Sequence, residues 1–162
     1  MLSLILACAL AKTPPATIPP ERAVERTATA VLGGFAVTNL ATGTAGYFAA
    51  PEPAWSAFHG TNAAWNTVNL GLAAAGAVSL ARRPEESLAA RQKRGERLHR
   101  VLAINAGLDV GYMAAGGAVW ALGAQDDNPQ LVGVGSSLVL QGAFLLGFDL
   151  IYRSRHRSAL AR

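Results

Sequence analysis

The sequence predicts an all-α protein built as a bundle of four transmembrane helices, with short outer loops and a basic cytoplasmic middle loop. Three observations carry that prediction. Four stretches, roughly 27–50, 57–81, 98–124 and 130–152, hold almost no ionisable side chains. Each reaches the length of about 20 apolar residues that a helix needs to cross a hydrocarbon core of about 30 Å. The 14 Lys and Arg residues gather in three segments that flank these stretches. At 162 residues, 51% hydrophobic and 15% charged, the chain suits one apolar domain. We divide it into an apolar N-terminus with a Pro-rich linker (1–26), a four-helix membrane domain (27–153) and a basic C-terminal tail (154–162).

Residues 1–11 (MLSLILACALA) are apolar but too short to span, and they resemble a signal-peptide core with Ala9-Leu10-Ala11 as a cleavage-like site. The linker TPPATIPP (13–20) leads to an amphipathic turn from Glu21 to Arg26. Small residues recur in the spans. Gly107 with Gly111 and Gly71 with Ala75 form small-xxx-small pairs, which predict close helix contacts there. The segment from Glu85 to Arg100 reads either as a short basic helix on an anionic leaflet or as a solvated connector.

Charge sets the topology. Lys12, Arg22 and Arg26 precede the first span, seven Lys or Arg from Arg82 to Arg100 lie between the second and third, and four follow the last. The connections around Pro51-Glu52-Pro53 and Asp126-Asp127-Asn128-Pro129 carry none. Both termini and the middle loop therefore belong in the cytoplasm. Export of an N-terminus cut at Ala11 would place the seven charges outside, and the charge pattern outweighs that reading. With the basic residues so placed, no nucleic-acid partner is expected. One cysteine, Cys8, provides neither a disulfide framework nor a thiolate metal site. No phosphate loop or zinc spacing is present, so no metal or cofactor is expected.

The spans also contain polar residues in register. In the second, His59, Asn62, Asn66 and Asn69 are spaced three, four and three apart and fall within an arc of roughly 80°. In the third, Asn105, Asp109 and Tyr112 repeat the pattern, while the first contributes Asn39 and the fourth Gln141 and Asp149. At about 1.5 Å per residue, Asn39, Asn66, Asn69, Tyr112 and Gln141 lie roughly 13–19 Å deep, near the midplane. His59 and Asn62 lie toward the outer mouth, and Asn105 and Asp149 share a level near the inner interface.

An unpaired amide in hydrocarbon costs several kcal/mol, so these groups face one another, water or a ligand. An ionisable residue at that depth marks a candidate functional site. Asp109 is the candidate acid or base and His59 a second proton carrier. Asn39, Asn62, Asn66, Asn69, Asn105, Tyr112 and Gln141 are candidate substrate-binding residues. Asp149 is structural or part of the site, paired with Asn105 or Arg153. The alternative for the amides is interhelical hydrogen-bonding glue.

Three stretches carry a resemblance: Phe58-His59-x-x-Asn62-x-x-Trp65-Asn66-x-x-Asn69, Asn105-Ala106-Gly107-Leu108-Asp109-Val110-Gly111-Tyr112, and Leu140-Gln141-Gly142-Ala143-Phe144-Leu145-Leu146-x-Phe148-Asp149. They resemble an uncharacterised family of small bacterial four-helix integral membrane proteins, over roughly residues 27–153. That resemblance implies a multi-pass protein of the bacterial inner membrane and no established reaction. A more distant similarity is to VanZ-like, "lipocone" membrane proteins, which implies action on lipid head groups without supplying a shared motif. The expected function is an intramembrane polar site that binds or modifies a lipid or lipid-linked substrate. The alternative is a non-catalytic membrane subunit or assembly factor. Either is compatible with an oligomer.

Overall fold

The computed structural model describes residues 18–161. The signal-like segment and most of the Pro-rich linker lie outside them. Four helices follow in order: α1 (Pro20–Ala49), α2 (Pro53–Arg82), α3 (Leu88–Gln125) and α4 (Pro129–Leu160). There is no strand among the described residues, and the chain is an all-α four-helix bundle.

The helix starts follow from local chemistry. Proline opens α1, α2 and α4, where its missing N–H costs no helical bond and its fixed φ suits the first turn. Ser87 caps α3 by accepting from the Ala90 N–H at 3.3 Å, and Asn128 caps α4 by accepting from the Leu131 N–H at 3.2 Å. The α3–α4 turn passes through Asp127 at φ 47°, a left-handed conformation that Asp tolerates better than most residues.

α1 packs on α2 and α3 on α4, so the bundle is two hairpins. They join chiefly through α2 and α4, with a lesser α1–α4 contact, while α2 and α3 do not pack against each other. Buried positions recur every seven residues: Gly95, Leu102, Asp109, Gly116 and Gly123 on α3, and Gly135, Gly142, Asp149 and His156 on α4. A seven-residue repeat keeps one seam facing its neighbour when helices wind in a left-handed sense.

Glycine brings the backbones of that seam together. A Cβ at Gly123 would lie 2.6 Å from the Val132 nitrogen, and one at Gly142 would lie 3.0 Å from the Asp109 carbonyl oxygen. At Gly135 it would collide with the backbone of Trp120, and at Gly133 with that of Ala54 on α2. The pairs expected from spacing alone do otherwise. A methyl placed on Gly71, Gly107 or Gly111 would have nothing within 4 Å, and Ala75 is exposed, because these residues lie off the seven-residue seam.

Two further expectations change. The basic middle segment is not a separate helix: it forms the first turns of α3, which runs unbroken for 38 residues because no Pro interrupts it. α1 and α4 likewise extend past the apolar stretches, so residues 20–26 and 153–160 belong to the bundle. By length and composition, α4 alone among the described helices is apolar enough to cross a membrane, with mean hydropathy 1.8 over its best window. Gly, Thr and Asn dilute the hydropathy of the other three.

The interior of the bundle is rich in polar side chains. The buried residues include Glu21, Glu25, Asn62, Asn66, Asn69, Asp109, Ser137, Gln141, Asp149 and His156, against six apolar ones, four of them alanine. Conversely, Phe48, Val68, Leu72, Ile104 and Ile151 are each at least 57% exposed.

Candidate functional site

The polar residues singled out in the helices divide into two groups. The first is an amide ladder. Asn62 Nδ2 on α2 donates to Asn39 Oδ1 on α1 at 2.8 Å, and Asn39 Nδ2 donates to the Phe35 carbonyl one turn back at 2.9 Å. Gln141 Nε2 on α4 donates to Asn62 Oδ1, so Asn62 ties three helices. Asn66 Nδ2 donates to the Asn62 carbonyl at 2.8 Å, and Asn69 Nδ2 to Asn66 Oδ1 at 3.2 Å. The four-three spacing of Asn62, Asn66 and Asn69 thus becomes a chain of contacts on one face of α2. Nearby, Phe35 of α1 stacks on Phe144 of α4 with ring centroids 3.4 Å apart. Gln141 Oε1 and Ser137 Oγ are buried without a partner.

The second group lines a central cavity of about 570 Å³. All four helices contribute to it, and Asn69, Asn105, Asp109, Tyr112, Asp149 and Tyr152 supply its polar groups. Asp109 is 4% exposed and its Oδ2 is buried without a hydrogen-bond partner, while Asp149 is 6% exposed. Asn105 stands beside Asp149, and the two carboxyls are near enough for their charges to interact. No Lys or Arg among the described residues lines this cavity. Its mouth lies where α2 and α3 fail to meet, because the exposed residues on its wall, Val68, Leu72, Val101 and Leu108, come from those helices. Trp65 and Tyr112 meet edge to face across the gap at 4.9 Å and bound one end.

His59 belongs to neither group. It packs on Trp55 and Phe58 at the outer end of α2 and sits in a notch left by Gly46, where any methyl would strike its ring. Ten residues separate it from Asn69, about 15 Å along the helix axis. Its Nδ1 is buried without a partner. The structure therefore brings Asn69, Asn105, Asp109, Tyr112 and Asp149 together, joins Asn39, Asn62, Asn66 and Gln141 into the ladder above them, and keeps His59 apart. Tyr112 packs on Trp65, with no hydrogen bond to Asp109.

A third cluster escaped the sequence reading. At the basic end of the bundle, Glu25 is 4% exposed and accepts from Arg83 and Arg94. His156, fully buried, lies with Nε2 3.1 Å from Glu25 Oε1 and Nδ1 3.1 Å from His99 Nε2. Glu21 receives a bidentate fork from Arg91 at 2.5 and 2.8 Å, and Arg94 also reaches Glu86 at 3.0 Å. Arg22 donates to the carbonyls of Leu80 and Arg83 and closes the last turn of α2. Burial alone would push the Glu25 carboxyl up, but bonds from His156, Arg83 and Arg94 outweigh it and hold it down at about 2. The same contest at Glu21, burial against Arg91, also ends below the ordinary carboxylate value. An ionised Glu25 carboxylate only accepts, so His156 Nε2 donates to it, while Nδ1 of the same ring faces His99 Nε2. Tyr152 stands between this cluster and the cavity, since it lines both the cavity and the small pocket beside Glu25.

With this geometry in view, the comparisons with known proteins identify one relationship. A family of unknown function, DUF6992, matches residues 31–150. The chain belongs to DUF6992. No curated protein and no solved structure matches it. The DUF6992 match takes in the whole amide ladder and both carboxyls of the cavity. It also includes Arg83, Arg91, Arg94 and His99, while Glu21, Glu25 and His156 fall beyond its ends.

Proposed function

We propose that this DUF6992 protein is an integral membrane protein of four spans whose central cavity binds a lipid or lipid-linked molecule, with Asp109 as its acid or base. The observation that carries the reading is the polarity of the bundle: polar groups fill the interior while large apolar side chains cover the outside. In water that arrangement loses hydrophobic stabilisation on the surface and desolvates amides within. In a bilayer both terms reverse, since lipid solvates the apolar exterior and interhelical hydrogen bonds satisfy the amides. The modest hydropathy of α1, α2 and the apolar part of α3 follows from Gly, Thr and Asn, with Asp109 in α3.

A cavity that opens between two helices onto an apolar exterior suits an amphiphile. Its head group would reach Asp109, Asp149 and Asn105, and its chain would remain against Val68, Leu72 and Leu108. A buried carboxyl with one oxygen unpartnered can accept a proton from a hydroxyl or amine at that point. The direct experiment compares membrane lipids by mass spectrometry from cells that express wild type or Asp109→Asn at equal folded levels. A lipid change seen only with wild type supports chemical action and names the substrate class. No change with either protein removes the acid–base role from Asp109.

The second reading, a non-catalytic subunit, draws on the amide ladder. Asn39, Asn62, Asn66 and Gln141 are spent on one another, which favours glue over substrate contact for these four.

A further inference from the structure

We propose that the ligand of the central cavity carries a cationic nitrogen, so that its class is an amine or ammonium amphiphile. The inference deepens the cavity reading above and rests on it. Two carboxyls, Asp109 and Asp149, lie in one cavity, each at least nine-tenths buried. Among the described residues, neither faces a basic side chain: no Lys or Arg is in the lining of this cavity. Arg83 and Arg94, in the small pocket that shares Tyr152 with this cavity, are already engaged, Arg83 by Glu25 and Arg94 by Glu25 and Glu86. Asp109 Oδ2 has no donor at all, and a buried acceptor without one is costly.

The rest of the lining agrees. Trp65, Tyr112, Phe148 and Tyr152 present four aromatic rings to the same space, and a cation near an aromatic face gains on the order of 0.5–2 kcal/mol. Asn69 and Asn105 offer amide oxygens that accept from an N–H. An anionic head group would meet two carboxyls, four π systems and no cation, and is excluded. A neutral hydroxyl could donate one hydrogen bond to Asp109, whereas an ammonium offers three N–H donors to the two carboxyls. The apolar walls on the α2 and α3 side hold the chain of the amphiphile, as in the reading above.

The test uses the full chain purified in maltoside micelles and three probes of equal chain length: hexadecylamine, hexadecanol and hexadecanoate. Native mass spectrometry reads which remains bound. The amine is expected to be retained about ten-fold more than either other probe. Asp149→Asn should cut that preference to within about two-fold. Leu72→Trp, which narrows the mouth without touching a carboxyl, should reduce retention of every probe. Retention of the alcohol equal to the amine would overturn the cationic ligand and leave the amphiphile cavity standing. Retention of none by folded wild type would remove the cavity reading itself. An amine preference unchanged in Asp149→Asn, or an amine retention unchanged in Leu72→Trp, would place amine binding elsewhere and overturn the proposal.

Discussion

His156 Nε2 lies 3.1 Å from Glu25 Oε1, and this contact joins α4 to α1 across 131 residues of sequence. Glu25 is held at about 2, against an ordinary value of 4.5. A carboxyl depressed on folding adds stability that is fully present above its unfolded value and is lost as pH falls through its folded one. The stability of the bundle in micelles should therefore decline between about pH 5 and pH 2, by on the order of 3 kcal/mol from Glu25. Glu25→Gln should be less stable at pH 7 and show a flatter acid limb. Denaturant unfolding across that range measures both, and an unchanged acid limb would remove Glu25 as the source.

Asn62 is the node of the amide ladder, and its replacement should cost stability rather than chemistry. Asn62→Ala orphans Gln141 Nε2 and Asn39 Oδ1 together, at about 1–3 kcal/mol for each buried group left unpaired. Asp109→Asn removes no protein hydrogen bond from Oδ2 and should unfold close to wild type. Thermal unfolding in matched micelles separates the two. Equal losses would mean that Asp109 also serves the bundle.

The glycines make a paired prediction. Gly123→Ala places a methyl 2.6 Å from the Val132 backbone nitrogen and must push α3 from α4, a cost of about 1–3 kcal/mol. Gly107→Ala meets nothing within 4 Å and should gain up to about 1 kcal/mol of helix propensity. Unfolding midpoints of the two variants should move in opposite directions. A destabilised Gly107→Ala would restore the packing role that spacing alone suggested for it.

Topology is testable with single cysteines in a Cys8→Ser background. With the basic segments inside, Asp127→Cys should react with an impermeant thiol reagent added to intact spheroplasts. Arg97→Cys should react only after permeabilisation. The reverse pattern would turn the protein over and reinstate an exported N-terminus.

The four helices were legible because their central stretches lack Pro and almost all charge, whereas α1 and α3 begin seven and ten residues before the apolar stretches that announced them. The polar face of α2 was legible because its spacing matches one face of a helix, and each neighbouring pair in Asn62, Asn66 and Asn69 does meet. Which amide faces which neighbour was not, since that depends on the rotation of α1 and α4 about their axes. The Glu25–His156 cluster was missed because charged residues outside apolar stretches were read as membrane flanks. Its signal is the seven-residue step from Gly142 through Asp149 to His156, which continues the seam past the last apolar turn. The same step on α3, from Leu102 back to Gly95, shows that the basic segment prolongs that helix.

α3 is one rod of 38 residues, carrying Arg91 and Arg94 near its start and Asp109 halfway along. A lever of that kind has no joint between the cavity wall and the charged end. Any tilt of α3 that widens the mouth beside α2 must also drag two guanidinium groups against Glu21 and Glu25. The ion pairs therefore act as a latch on the far arm, and the stiffness of the opening is set about 23 Å or more from the carboxyl it exposes.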